Sequence, residues 1–176
     1  MRGLTGRGQV EQFMRALGQA VRDDARVYLT GGATAVLLGW RDTTIDIDLT
    51  FAPERDEMFR AIARLKDELG INVELAAPAH FIPPLPGWET RSRFIIQEGR
   101  VAFYHYDFYA LALAKIERGH AQDRTDVAAM LGSGLVEPER MLTLFEAIAP
   151  ELHRYPAINP ESFRRAVIEA AAQANN

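Results

Sequence analysis

Apolar residues recur at helical spacing near the start of the chain. Val10, Phe13, Met14, Leu17 and Val21 share one face, so the pattern predicts an amphipathic helix over 8–23. The period then changes: Arg26 to Thr30 is a short run of β-formers and predicts a strand. Gly31-Gly32 interrupts it. Ala33 to Leu38 is apolar on most faces and predicts a buried helix closed by Gly39. A second strand is expected over 44–51. A helix opens near Pro53, with Met58, Ile62, Leu65 and Leu69 as its buried stripe and Gly70 as its stop. Residues 71–75 alternate like a half-buried strand.

Later in the chain prolines and helices dominate. Pro78, Pro83, Pro84 and Pro86 predict an ordered, irregular loop over 76–90, followed by strands near 92–97 and 101–106. Asp107 is placed to cap a helix that runs to about Arg118. A further helix begins near Asp123 and ends at Gly132 or Gly134. Pro138 and Pro160 each read as the first residue of a helix, the last of them capped by Asn159, with the tail from Gln173 to Asn176 frayed. Strands mixed with helices, then helices alone, imply an α+β core over 1–106 and a helical subdomain over 107–176.

Composition narrows the function classes. At 176 residues with 48% hydrophobic and 25% charged, the chain can bury a full core without staples. It has no cysteine, which excludes disulfides, thiolate zinc sites and a Cys nucleophile. No apolar run reaches the ~18 residues of a membrane span, and the start lacks a signal-type core, so a cytoplasmic protein with no membrane partner is expected. The formal charge of −4 lacks the basic excess of a nucleic-acid binder. An RNA partner would need a local patch, which Arg2, Arg7, Arg91, Arg93 and Arg100 could form if they converge. His80, His105, His120 and His153 show no i,i+4 spacing of a zinc site, and no Ser/His/Asp grouping suggests covalent catalysis.

The chemistry concentrates in one place. Asp46 and Asp48 lie two apart in a predicted strand, so they share a face. Neighbouring carboxylates disfavour each other's ionised form, and a divalent cation relieves this. Mg²⁺ in particular takes one or two carboxylates together with phosphate oxygens. Upstream, a strand delivers the chain to Gly31-Gly32, where the backbone turns tightly into a helix whose start favours an anion. Taken singly, the glycine pair is a turn and the acid pair a solvated strand face. Together they form an anion cradle beside a carboxylate pair, as Mg²⁺-nucleotide chemistry requires.

Gly31-Gly32 followed by Asp46-Ile47-Asp48 resembles the signature of the minimal nucleotidyltransferase superfamily, the DNA polymerase β-like enzymes. The segments 28–35 and 46–49, with Pro84 to Trp88, Tyr106 to Lys115 and Gln122 to Val127, are similar to the bacterial branch that contains type IV toxin nucleotidyltransferases. The resemblance implies a short mixed β-sheet flanked by helices, followed by a C-terminal helical bundle. It also implies two-metal transfer of an NMP from an NTP, ATP among them, to an acceptor hydroxyl. Asp46 and Asp48 would hold Mg²⁺ (or Mn²⁺), and a third carboxylate would activate the acceptor. Glu74 is the best match for that third group, although other members usually carry Asp there.

Gly31, Gly32 and Thr34 would be nucleotide-binding residues. Lys115 and Arg118 lie three apart on a helix and are either ligands of the outer phosphates or a solvated cationic face; the resemblance favours Lys115 as a ligand. Asp123 and Asp126 read as an N-cap and a first-turn acid. RNA or tRNA as acceptor, and a cognate antitoxin protein as partner, are further implications. Because Glu74 departs from the usual Asp, a catalytically silent nucleotide- or partner-binding module is the alternative.

Overall fold

The computed structural model describes residues 3–176, which form a mixed α+β fold. The chain divides into two compact units. One runs to Ala77 and resumes over Ser92–Tyr106; the other comprises Pro78–Arg91 and Asp107–Asn176.

In the first unit, β1 (Thr5–Gly6) leads into α1 (Arg7–Ala20), then β2 (Ala25–Leu29), α2 (Gly32–Leu37), β3 (Thr43–Thr44) and β4 (Asp46–Ala52). α3 (Asp56–Leu69), β5 (Asn72–Leu75), β6 (Arg93–Glu98) and β7 (Val101–His105) complete it. The main sheet has the order β5-β4-β2-β7-β6. β2 is parallel to β7 and antiparallel to β4, while β4 is parallel to β5 and β6 is antiparallel to β7. One face of this sheet carries the core. Val27, Leu29, Ile47, Leu49, Val73, Val101 and Phe103 pack with Val10, Phe13 and Leu17 of α1 and with Met58, Ile62 and Leu65 of α3. The alternation that predicted these elements is thus the alternation between core and outer face.

In this unit two expectations differ from the structure. The strand expected over 44–51 is two elements, because Thr43–Thr44 pairs with Thr5–Gly6 in a small second sheet before the chain enters the main one. Ile45 falls at that crossing and is 63% exposed rather than facing the core. The helix expected to open near Pro53 begins at Asp56 with Arg55 at its N-cap. Asp56 and Glu57 supply first-turn acids, and Gly70 in the left-handed conformation (φ 63°) ends it.

The second unit contains α4 (Trp88–Arg91), α5 (Phe108–Arg118), α6 (Ala121–Gly132), α7 (Pro138–Ile148) and α8 (Pro160–Ala174). Single 3₁₀ segments cover Pro78–His80 and Ala149–Arg154. Asp107 caps α5 by accepting from Tyr109 N–H, and its other oxygen takes both Arg91 Nε (3.1 Å) and Arg91 Nη2 (2.7 Å). Asn159 caps α8 by accepting from Ser162 N–H at 2.9 Å, and the helix continues to Ala174, into the tail expected to fray. α6 starts two residues before Asp123, with His120 at its N-cap; the Asp123 carboxylate is turned to Arg118 and Lys115 instead. Among the described residues no helix is long and apolar enough to cross a membrane.

Candidate active site at the glycine bend

The site is built on three strand ends. β2 stops at Leu29, but its pairing with β4 runs one residue further, since Thr30 N–H donates to the Asp48 carbonyl at 3.0 Å. The Thr30 hydroxyl donates to the Ala76 carbonyl at 2.9 Å, tying the bend to the chain just after β5. Gly31-Gly32 therefore begins beside Asp48. Within β4 the odd residues Ile47 and Leu49 are fully buried, while Asp46 and Asp48 are half-buried on the outer face. β5 lies parallel alongside, with Asp46 opposite Asn72 and Asp48 opposite Glu74. Directly opposed residues share a face, so exposed Glu74 stands next to Asp48.

The glycines are required for space. Gly31 has a negative φ of −131°, so it is not the left-handed region that calls for glycine here. A Cβ built there would overlap Asp48 Oδ2 and lie 2.8 Å from Asp48 Cγ. The carboxylate thus occupies the volume that a side chain at residue 31 would need. A Cβ on Gly32 would overlap Thr44 Oγ1 and lie 3.1 Å from Arg41 Nη1. The bend brings together a backbone stripped of side chains, an acid pair and a guanidinium.

Behind the bend sits a polar clasp. The Thr34 hydroxyl donates to the Leu29 carbonyl at 3.2 Å and lies 3.1 Å from His105 Nδ1. With its one proton committed to a carbonyl, the hydroxyl must accept from the imidazole, so the neutral ring carries its proton on Nδ1. Burial, then the charge of Arg93, lowers the His105 pKa from 6.5 to about 4. Thr34 is itself 2% exposed, and its N–H bonds to the Gly31 carbonyl at 3.1 Å. Thr34 therefore shapes the bend from within.

The remaining expected residues lie in the other unit. Lys115 Nζ is 2.9 Å from Asp126 Oδ2 and 3.4 Å from Asp123 Oδ1, and Arg118 holds Asp123 with both Nε (2.8 Å) and Nη2 (2.6 Å). Burial pushes the Asp123 carboxyl up, but the bonds and charges of Arg118 and Lys115 outweigh this and hold it below its ordinary value. The arginine patch divides likewise. Arg7 pairs with Glu11, Arg100 with Asp24 and Arg91 with Asp107, and Arg2 lies outside the described residues.

Sequence position alone leaves Arg41 either facing the site or pairing with Asp42. Its position between the glycines and the aspartates was the available signal, and its guanidinium faces Gly32. Among the described residues no three His, Asp or Glu side chains are grouped as a metal-ligating set. A cation at the bend would therefore rest on Asp46 and Asp48 together with ligand oxygens, the coordination that Mg²⁺ commonly takes beside phosphates. The Asp48 carboxylate seated in the space of an absent Cβ fits that arrangement.

A family model described as "Nucleotidyltransferase of unknown function (DUF6036)" matches residues 8–168. No curated protein and no solved structure matches the chain.

Proposed function

The chain belongs to this nucleotidyltransferase family, and we propose that it moves a nucleoside monophosphate from an NTP to an acceptor hydroxyl at the Gly31–Asp48 bend. One observation carries the reading: the Asp48 carboxylate fills the volume a side chain at Gly31 would take, so anion-accepting backbone and metal-accepting acid meet at one point.

In this reading Asp46 and Asp48 hold the nucleotide's Mg²⁺. Bound there, the cation would offset phosphate charge and acidify the acceptor hydroxyl. The acceptor oxygen bonds to the α-phosphorus, the α–β anhydride bond breaks and pyrophosphate leaves. Glu74, beside Asp48, takes the hydroxyl proton. Gly31 and Gly32 let the phosphates approach the backbone, and Thr34, clasped by His105, keeps the bend in shape. Lys115 and Arg118 enter only if a phosphate displaces the carboxylates of Asp123 and Asp126, which would leave two buried charges unmatched.

The resemblance to type IV toxins favours an RNA 3′ end, tRNA included, as acceptor, with an antitoxin protein as regulator. The test is transfer of label from α-³²P-NTPs, with Mg²⁺, to total RNA, to protein or to the enzyme itself. Labelled RNA that vanishes in Asp46→Asn/Asp48→Asn supports the proposal. Label on protein would move the acceptor class. No label from any NTP, with Mg²⁺·NTP binding intact, would leave the second reading, a nucleotide-binding module without turnover. Glu74 in place of the usual Asp, exposed on β5, is what favours that second reading.

A further inference from the structure

We propose that the edge strand β6 is a self-pairing surface, at which a second copy of this chain continues the main sheet. β6 ends the order β5-β4-β2-β7-β6, so among the described residues one side of its backbone has no strand neighbour. Such an edge offers a row of N–H and C=O groups to another strand. Edges that must stay unpaired are commonly blunted by lysine, proline or very short length. β6 runs six residues, Arg93–Glu98, with neither lysine nor proline. Phe94 and Ile96 stand on it 58% and 38% exposed.

The order of side chains identifies the occupant. Arg93-Phe94-Ile95-Ile96-Gln97-Glu98 begins with a cation and ends with an anion. Antiparallel pairing of two copies about an axis between Ile95 and Ile96 sets Arg93 against the partner's Glu98, Phe94 against the partner's Gln97 and Ile95 against the partner's Ile96. Each contact then recurs on the other side of the axis, as a two-fold interface requires. A regular strand could not use this register. Directly opposed residues share a face, whereas residues five apart in a regular strand lie on opposite faces. The bulge in β6 removes the obstacle. Arg93, Ile96 and Glu98 oppose His105, Phe103 and Val101, the buried residues of β7, while Phe94 and Gln97 oppose Tyr104 and Ala102 on the outer face. Ile95 is the extra residue and packs against the core. Arg93 and Glu98 therefore share one face, and Phe94 and Gln97 share the other. A bulge commonly blunts an edge; here it brings the charged ends of the strand into phase. The five N–H donors of Arg93 let it reach across the axis while keeping contacts within its own chain. An axis perpendicular to the sheet leaves both outer faces on one side, so the Asp46/Asp48 pairs of the two copies face the same way.

Sedimentation velocity of the full chain, from about 1 µM to about 1 mM, tests the proposal. Six residues a side make a small interface, so wild type should pass from monomer to dimer within that range rather than below it. Arg93→Glu and Glu98→Arg each set like charges against one another and should weaken association at least about tenfold. An equimolar mixture of the two single variants places opposite charges at both ends again and should associate as wild type does. The double swap Arg93→Glu/Glu98→Arg should do the same. Circular dichroism confirms that each variant is folded. Hydrogen exchange on wild type needs no substitution: amides of 93–98 should exchange more slowly at high concentration than at low. A wild type that stays monomeric to the top of the range overturns the proposal. So does a dimer indifferent to both charge reversals, a loss that mixing does not restore, or exchange in β6 that ignores concentration.

Discussion

Each unit contains a close pair of aspartates, and the two pairs are set in opposite surroundings. Asp123 and Asp126, three apart on α6, have side chains 2% and 3% exposed, and Lys115 and Arg118 match them charge for charge. Asp46 and Asp48, two apart on β4, are half-buried at a bend where a neighbouring side chain has been deleted to make room. The first pair is closed. It fastens α5 to α6, and a ligand gains nothing there without stranding a buried charge. The second pair is half-exposed on the sheet's outer face, with Glu74 beside it. Carboxylate spacing alone does not separate the two cases. Burial does: the side chains of one pair are nearly inaccessible, and those of the other are half-exposed.

The contrast can be broken most forcefully at the half-exposed pair. Asp46→Asn/Asp48→Asn should cut nucleotide transfer by on the order of 10³-fold or more. It should leave the denaturant midpoint nearly unmoved, because both groups are half-exposed. A large loss of stability would mean that this pair, too, is structural.

The closed pair should behave in reverse. Asp123→Ala leaves Lys115 and Arg118 facing one carboxylate and should cost about 3 kcal/mol in urea unfolding. The lowered Asp123 pKa gives the sign of the acid dependence. Its stabilisation is present above the ordinary carboxylate value and is lost as pH falls through the lowered one. Asp123→Asn should flatten that acid limb, and an unchanged limb would contradict the assignment.

His105 sharpens the comparison from inside the first unit. Its pKa falls from 6.5 unfolded to about 4 folded, so the unfolded chain binds the extra proton between those values. Stability is therefore full above 6.5 and drains away as pH falls toward 4. Between pH 8 and pH 5 the loss should be about 2 kcal/mol, and His105→Gln should abolish it. A pH-independent midpoint in wild type would show that the clasp on Thr34 is not formed with a neutral ring. The smallest effect is at the bend itself. Gly31→Ala forces the Asp48 carboxylate aside and should weaken Mg²⁺·NTP binding about tenfold, equivalent to ~1.4 kcal/mol. Unaltered affinity would mean that Asp48 need not sit against residue 31.

Much of this architecture was legible from periodicity. The stripes of α1 and α3, the shared face of Asp46 and Asp48 on β4, the stop at Gly70 and the caps at Asp107 and Asn159 all follow from local rules. The break at Ile45 was hidden, because two-residue pairing with Thr5–Gly6 is a long-range event with no local pattern. The start of α6 was misplaced for a related reason: an aspartate near a helix start reads as a cap, and only tertiary structure turns it toward Lys115 and Arg118. At the candidate site, the glycine pair and Asp46/Asp48 stood out by spacing. The overlap of Asp48 with the Gly31 side-chain volume, the approach of Arg41 to Gly32 and the His105–Thr34 clasp depend on strand register and on a fold-back after α2. Neither can be read from spacing.

Mn²⁺ titration into ¹⁵N-labelled protein with saturating NTP tests the central claim most directly, since the paramagnetic ion broadens amide signals close to where it sits. Selective loss of the Gly31, Gly32, Asp46, Ile47 and Asp48 signals, reversed by excess Mg²⁺, is the predicted result. Broadening centred on Asp123 and Asp126, or spread evenly over exposed acids while the bend stays sharp, would contradict it.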